Sequence, residues 1–311
     1  MMKKSLICLL VLFLLYNAAL LIVDPPDRVT HAQHQWQMNV LKAQEYVYDR
    51  QDSRYVFAGT SLTFRLPGSA LPDGSFNLAM AGTSTLEGLE IIKRSGASPE
   101  AVFIETNFLF RKPDNSLTHS VFQPLMYRLR KWVPALRERN QPVSYYLAVA
   151  TIVKRIVEKV GGGFTASDTA HPVPPAQTEP SLEKRRSDRQ AAIDRNLKVQ
   201  LDALDTRPSD EEAVALIESL QAYIRYFQQK GVKVIFFEVP FHQKLYGTRY
   251  NKWKSDELER LFPSEQYAYI KYPFADTVKT TDGVHLTRAS ALLYCSYLSQ
   301  QIDKILNHRS G

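Results

Sequence analysis

Four short segments carry side chains suited to nucleophilic acyl chemistry. Gly59-Thr60-Ser61 places a hydroxyl directly after the apolar run Tyr55 to Ala58. A serine at the carboxyl end of a strand lies in the crevice where open α/β sheets take ligands, close to backbone N–H groups able to hold an oxyanion. Thr281-Asp282-Gly283-Val284-His285-Leu286 sets an acid three residues before an imidazole. In a turn the carboxylate can accept from one ring nitrogen and fix the tautomer, leaving the other nitrogen to take a serine proton. Asn77 to Ser84 runs a strand end into Gly82, which exposes an N–H with no side chain in the way. Ile104-Glu105-Thr106-Asn107-Phe108 offers the Asn107 amide as a further donor. Each segment taken alone has a plainer explanation: a helix-capping serine, a turn glycine, a turn asparagine, a chance D-x-x-H.

The elements that must position these residues follow from apolar periodicity. Tyr55 to Ala58, Ser75 to Leu78, Ala101 to Ile104 and Val232 to Val239 read as four short, mainly apolar strands. Helical patterns occupy Gln35 to Arg50, Thr85 to Ser95 and Thr287 to Leu306. Strands buried on both faces and alternating with helices predict an α/β fold with a mostly parallel sheet in a three-layer α/β/α sandwich. About a hundred residues after the third strand break that alternation, and 111–205 is expected to be a helical and flexible insert. Within it, Gly161 to Pro180 is rich in Gly, Pro, Ser and Thr, as linkers are; its Gly-Gly-Gly lacks the Lys-Ser/Thr of a phosphate loop. Val121 to Asn140 is basic with interleaved apolar and aromatic residues. It is either a solvated helical insert or a face lying on anionic lipid or glycan.

Taken in order, the four segments resemble the blocks of the SGNH (GDSL-like) hydrolase superfamily, named for a Ser, a Gly, an Asn and a His. Ser61 matches the nucleophile, Gly82 the glycine, Asn107 the asparagine, and Asp282 with His285 the closing D-x-x-H. The likeness spans about residues 54–108 and 232–306. It implies a flavodoxin-like fold, Ser61-His285-Asp282 catalysis, and an oxyanion hole formed by Ser61 N–H, Gly82 N–H and the Asn107 amide. Thr60 stands where an Asp usually precedes the serine, Glu105 where the third block usually has Gly, and Phe108 where it often has Asp. Such departures resemble the membrane-anchored envelope branch, similar to the D-alanine transfer protein of teichoic acid synthesis and the alginate O-acetylation proteins. The resemblance therefore implies an acyl esterase or O-acyltransferase acting on acetyl or other acyl esters of an envelope polysaccharide, beside a membrane-bound O-acyltransferase. The alternative is a non-catalytic module of the same kind that binds glycan or that partner. Thr60 and His242, the latter just after the fourth strand, are expected to line the crevice.

The remaining composition bounds the compartment. The chain has 311 residues, 44% apolar and 23% charged, enough for a globular core. Leu6 to Val23 is apolar except for Tyr16 and Asn17, and follows Lys3 and Lys4. Eighteen helical residues span about 27 Å, close to the hydrocarbon thickness of a bilayer. Residues 1–24 are thus expected to be a transmembrane anchor, or else a signal peptide cleaved near Thr30-His31-Ala32, ahead of one domain at 25–311. With the lysines inside, the chain is expected in a bacterial inner membrane, single-pass, its body facing the periplasm or exterior. Export argues against nucleic-acid binding despite a net charge of +7. Two cysteines make no disulfide framework, and His31-x-x-His34 lacks the acid or thiol of a metal site. His119, His171 and His308 are assigned to loops or the terminus. No cofactor and no metal is called for.

Overall fold

A computed structural model describes residues 2–22, 35–160, 182–274 and 277–307. In chain order the helices and strands are α1 (Met2–Ile22), α2 (Gln35–Asp49), β1 (Tyr55–Ala58), α3 (Ser61–Phe64), β2 (Ser75–Asn77), α4 (Thr85–Ser95), β3 (Ala101–Glu105) and α5 (Ser116–Val121). There follow α6 (Pro124–Trp132), α7 (Pro142–Val160), α8 (Leu182–Leu204), α9 (Asp210–Gln229), β4 (Lys233–Phe237), α10 (Arg249–Leu261), β5 (Ala268–Ile270) and α11 (Arg288–Asn307). The linker read over Gly161 to Pro180, and His31, His34, His171 and His308, lie outside the described residues. His119 belongs to α5 and not to a loop.

The chain divides into two compact units, the first drawn from 1–44 and 119–180, the second from 45–118 and 181–311. The second holds a five-stranded, all-parallel sheet in the order β2-β1-β3-β4-β5. Four of these strands match the apolar runs. The fifth, β5, has no counterpart among those runs: at three residues and half-buried, it carries too little apolar sequence to stand out. Phe57, Phe103 and Ile235 lie in register across β1, β3 and β4, and the first two rings stack at 4.5 Å. Burying each such side chain contributes about 1.5–3 kcal/mol before the entropy of ordering it is counted. Helix α4 comes close to β1 because it carries Gly88, whose missing side chain leaves room for Ala58; a Cβ there would sit 3.3 Å from the Ala58 Cβ. Ser84 caps α4, and Gly96 ends it in a left-handed turn. All strands of a parallel sheet end on one side, so the segments after β1, β2, β3 and β4 share one edge.

The first unit contains α1, the beginning of α2, and the segment around α6 and α7. Lys3–Ile22 is long and apolar enough to cross a membrane, and little of it is covered. Its two polar interruptions are used inside this unit. The Tyr16 hydroxyl donates to the Asn140 carbonyl (2.5 Å), and the Asn17 side-chain oxygen accepts from the Ala135 N–H (3.2 Å). Tyr16 and Tyr145 meet edge to face at 5.7 Å.

Candidate active site

Ser61 opens α3 one turn past the end of β1. Its hydroxyl donates to Nε2 of His285 (2.9 Å), a partner 224 positions away. Nδ1 of His285 donates to Oδ2 of Asp282 (2.6 Å). The other oxygen, Oδ1, accepts from the backbone N–H groups of Val284 (3.1 Å) and His285 (2.8 Å). The acid thus closes an Asx turn and aims the ring with the same side chain. Gly283, at φ +88°, permits that turn, and a bridge between Thr280 and Leu286 ties its two ends. Burial pushes the Asp282 carboxyl up, but the His285 ring and the two backbone donors outweigh it and hold it down at about 2. Ser61, Asp282 and His285 are all partly exposed, so a substrate can reach the hydroxyl.

What holds the serine turn is a residue that sequence reading recorded only as a departure. Glu105, wholly buried at the end of β3, accepts from the Thr60 N–H (2.8 Å) and the Thr63 N–H (3.2 Å) at one oxygen. Its other oxygen accepts from the Thr60 hydroxyl (2.6 Å). Burial pushes this carboxyl up, against the pull of the Thr60 and Thr63 donors. Three donors converge on its two oxygens, so the buried carboxyl is hydrogen-bonded on both sides. The two departures, Thr60 and Glu105, are therefore one feature: each is the other's partner. Thr60 is consequently fully buried and points to Glu105, so it does not line the crevice.

The same contacts bear on the oxyanion donors. Glu105 takes the N–H groups of Thr60 and Thr63, and the Thr60 hydroxyl accepts from Leu62 at 3.5 Å. Among the described residues the Ser61 N–H meets no acceptor, so it is left open beside the hydroxyl. Gly82 is exposed at φ +73°, in a loop that Met80 pins to the Gly59 carbonyl (3.1 Å). Asn107 departs from expectation. It is fully buried, its amide donates to the Val239 carbonyl (2.8 Å), and its oxygen accepts from the Val239 N–H (2.9 Å). Its oxygen and one amide hydrogen join the segments after β3 and β4, and the side chain has no exposed surface, so it does not face the crevice beside Ser61. Asn77, by contrast, positions the serine turn: its amide reaches the Thr63 (2.8 Å) and Leu66 (3.3 Å) carbonyls.

His242 is half-buried, and its backbone N–H donates to the Gly283 carbonyl (3.0 Å), so it abuts the acid–histidine turn. Its ring caps its own short turn, accepting weakly from Lys244 (3.3 Å). A cavity of about 360 Å³ opens at the ends of β3, β4 and β5, lined by Thr106, Glu238, Asn251 and Lys254 and not by the triad. Lys254 is buried there against Glu238 (2.8 Å). Among the described residues no three His, Cys, Asp or Glu cluster as metal ligands. No family model matches the chain, and no curated protein matches its sequence.

Proposed function

We propose that this chain is a serine acyl esterase or O-acyltransferase of the SGNH type, acting outside the cytoplasm on acyl esters of a bacterial envelope polysaccharide. One observation carries the reading: hydroxyl, imidazole and carboxylate form a continuous chain of 2.9 and 2.6 Å contacts at the ligand-binding edge of a parallel sheet. The strand order β2-β1-β3-β4-β5 is that of flavodoxin-like doubly wound folds, which supports the superfamily assignment.

Ser61 Oγ attacks the ester carbonyl while His285 Nε2 takes its proton, and Asp282 stabilises the resulting imidazolium. The tetrahedral oxyanion is met by the Ser61 and Gly82 N–H groups. Collapse expels the sugar oxygen, which leaves with the proton from His285, and an acyl-serine remains. Water or a second sugar hydroxyl then gives its proton to His285 and takes the acyl group, and Ser61 recovers its hydrogen. Water makes the protein an esterase, and a sugar hydroxyl makes it a transferase that works beside a membrane-bound O-acyltransferase. The helix Lys3–Ile22, retained as a single-pass anchor with Lys3 and Lys4 inside, keeps the catalytic unit on the far side of the inner membrane. Its contacts with residues 135, 140 and 145 support retention over cleavage.

Labelling with a fluorophosphonate probe tests this reading. The wild-type chain should react at Ser61, and Ser61→Ala and His285→Ala should both abolish the adduct. The burial of Asn107 against Val239 favours a second reading, a glycan-binding module without turnover, because one of three expected oxyanion donors does not face the crevice. A folded wild type that stays unlabelled and retains polysaccharide binding in Ser61→Ala would decide for that second reading.

A further inference from the structure

The anchor's two polar residues sit at an informative height. Lys3–Ile22 is 20 residues, about 30 Å of helix, which matches the hydrocarbon core with nothing to spare. Tyr16 lies six residues before Ile22, so about 9 Å inside the outer end of the span. At that height it holds the Asn140 carbonyl, and Asn17 holds the Ala135 N–H. If α1 crosses fully, residues 135–145 are drawn down to the depth at which amphipathic helices lie, about 5–10 Å into the headgroup and acyl boundary.

The helices on either side of that segment are built for such a place. On α6, Leu125 (68% exposed), Leu129 and Trp132 (80% exposed) recur at i, i+4 and i+7. Arg128 and Lys131 are exposed on the flank of that stripe, and neither is in an ion pair among the described residues. On α7, Tyr146 (70% exposed), Ala150, Val153 and Val157 form a second stripe at i, i+4, i+7 and i+11, with Ile156 beside it. Exposed apolar stripes of this size in water would be an aggregation hazard. With Trp and Tyr at the rim and Arg and Lys alongside, they have the composition of an interfacial surface.

We propose that α6 and α7 lie in the outer interface of the bilayer, their apolar stripes in lipid and Arg128 and Lys131 against anionic headgroups. The first unit is then a membrane-embedded platform around the anchor. This rests on α1 crossing the bilayer, a premise the same experiment reads separately.

The full chain is reconstituted in vesicles of phosphatidylcholine and phosphatidylglycerol, with a polarity-sensitive fluorophore on single cysteines. Native Cys8 in α1 reports the anchor. Trp132→Cys, Val153→Cys and Val157→Cys, each in a Cys8→Ala background, report the platform, and Val214→Cys on α9 is the aqueous reference. Cys295 is buried and its thiol is pushed up to about 12, so it stays unlabelled. Lipid-borne nitroxide should remove more than half of the emission at 8, 132, 153 and 157, while iodide quenches only 214. Arg128→Glu with Lys131→Glu should lower the nitroxide quenching at 132 in these vesicles. Quenching at 8 together with iodide access at 132, 153 and 157 equal to that at 214 overturns the platform. So does shielding from iodide without lipid quenching, which means that protein covers the stripes. A label at 8 that lipid nitroxide leaves bright overturns the anchor premise instead.

Discussion

Asp282 performs two tasks with two oxygens, and removing its charge separates them. Asp282→Asn keeps the turn-closing acceptor but presents an amide to the ring, favouring the wrong tautomer. Under the proposed esterase function, ester turnover should fall by about 10⁴, read as kcat with KM little changed. Glu105 acts one step further back. Glu105→Ala strands the buried N–H groups of Thr60 and Thr63, each at a cost of about 1–3 kcal/mol, and lets the Ser61 turn drift. Fluorophosphonate labelling should slow far more than thermal unfolding alone accounts for, and Glu105→Gln, whose amide oxygen can still accept from both N–H groups, should restore part of the rate. Asn107→Ala should behave in the opposite way: a lower Tm from the lost Val239 pairing, with labelling of the folded fraction close to wild type. Of these residues, the contacts joining Ser61, His285 and Asp282 were legible in the sequence, since strand ends and a D-x-x-H have recognisable surroundings. The function of Glu105 was not, because its partners lie 42 and 45 positions away and nothing local marks a carboxylate as buried.

Strands β1, β3 and β4 could be read directly because a strand covered on both faces is apolar along its buried stretch, and runs such as Val102 to Ile104 and Ile235 to Phe237 are conspicuous. Short β5 gave no such signal, and the turns between elements depend on backbone approaches invisible in residue types. Gly59 is such an approach: a Cβ there would lie 2.5 Å from a Glu105 oxygen and 2.9 Å from Thr63. Gly59→Ala must therefore push the carboxylate off the serine turn. It should lose most labelling while circular dichroism shows the sheet intact. Gly283 is tied by its dihedral, φ +88°, and by Leu197 of α8, 3.0 Å from where a Cβ would be. Gly283→Ala should destabilise by about 1–2 kcal/mol and, by displacing the Asx turn, slow fluorophosphonate labelling as well.

The whole chain inherits a pH limit from its acid. Asp282 titrates at about 2 when folded, against 3.8 for the free side chain, so its contribution to stability is complete above about pH 5 and drains away as pH falls toward 2. Thermal melts of wild type and Asp282→Asn should accordingly differ at neutral pH and converge in strong acid. The 111–205 stretch, read from sequence as one insert, divides between the two units: residues from 119 group with the N-terminal helices, and described α8 groups with the sheet. Apolar periodicity cannot make that division, since it marks which face is buried and not what covers it. The bonds from Tyr16 and Asn17 to residues 124 and 118 positions downstream also impose an order on biogenesis. Under the single-pass anchoring proposed above, synthesis and translocation from the N-terminus deliver the hydrophobic helix to lipid while the stretch that will clasp it is still inside the ribosome or the export channel. Until that stretch arrives, Asn17 has only its own helix to bond with, through the Phe13 carbonyl. Nascent chains halted before Ala135 should thus yield a helix that is inserted but unclasped, and easier to extract from the membrane than the finished protein.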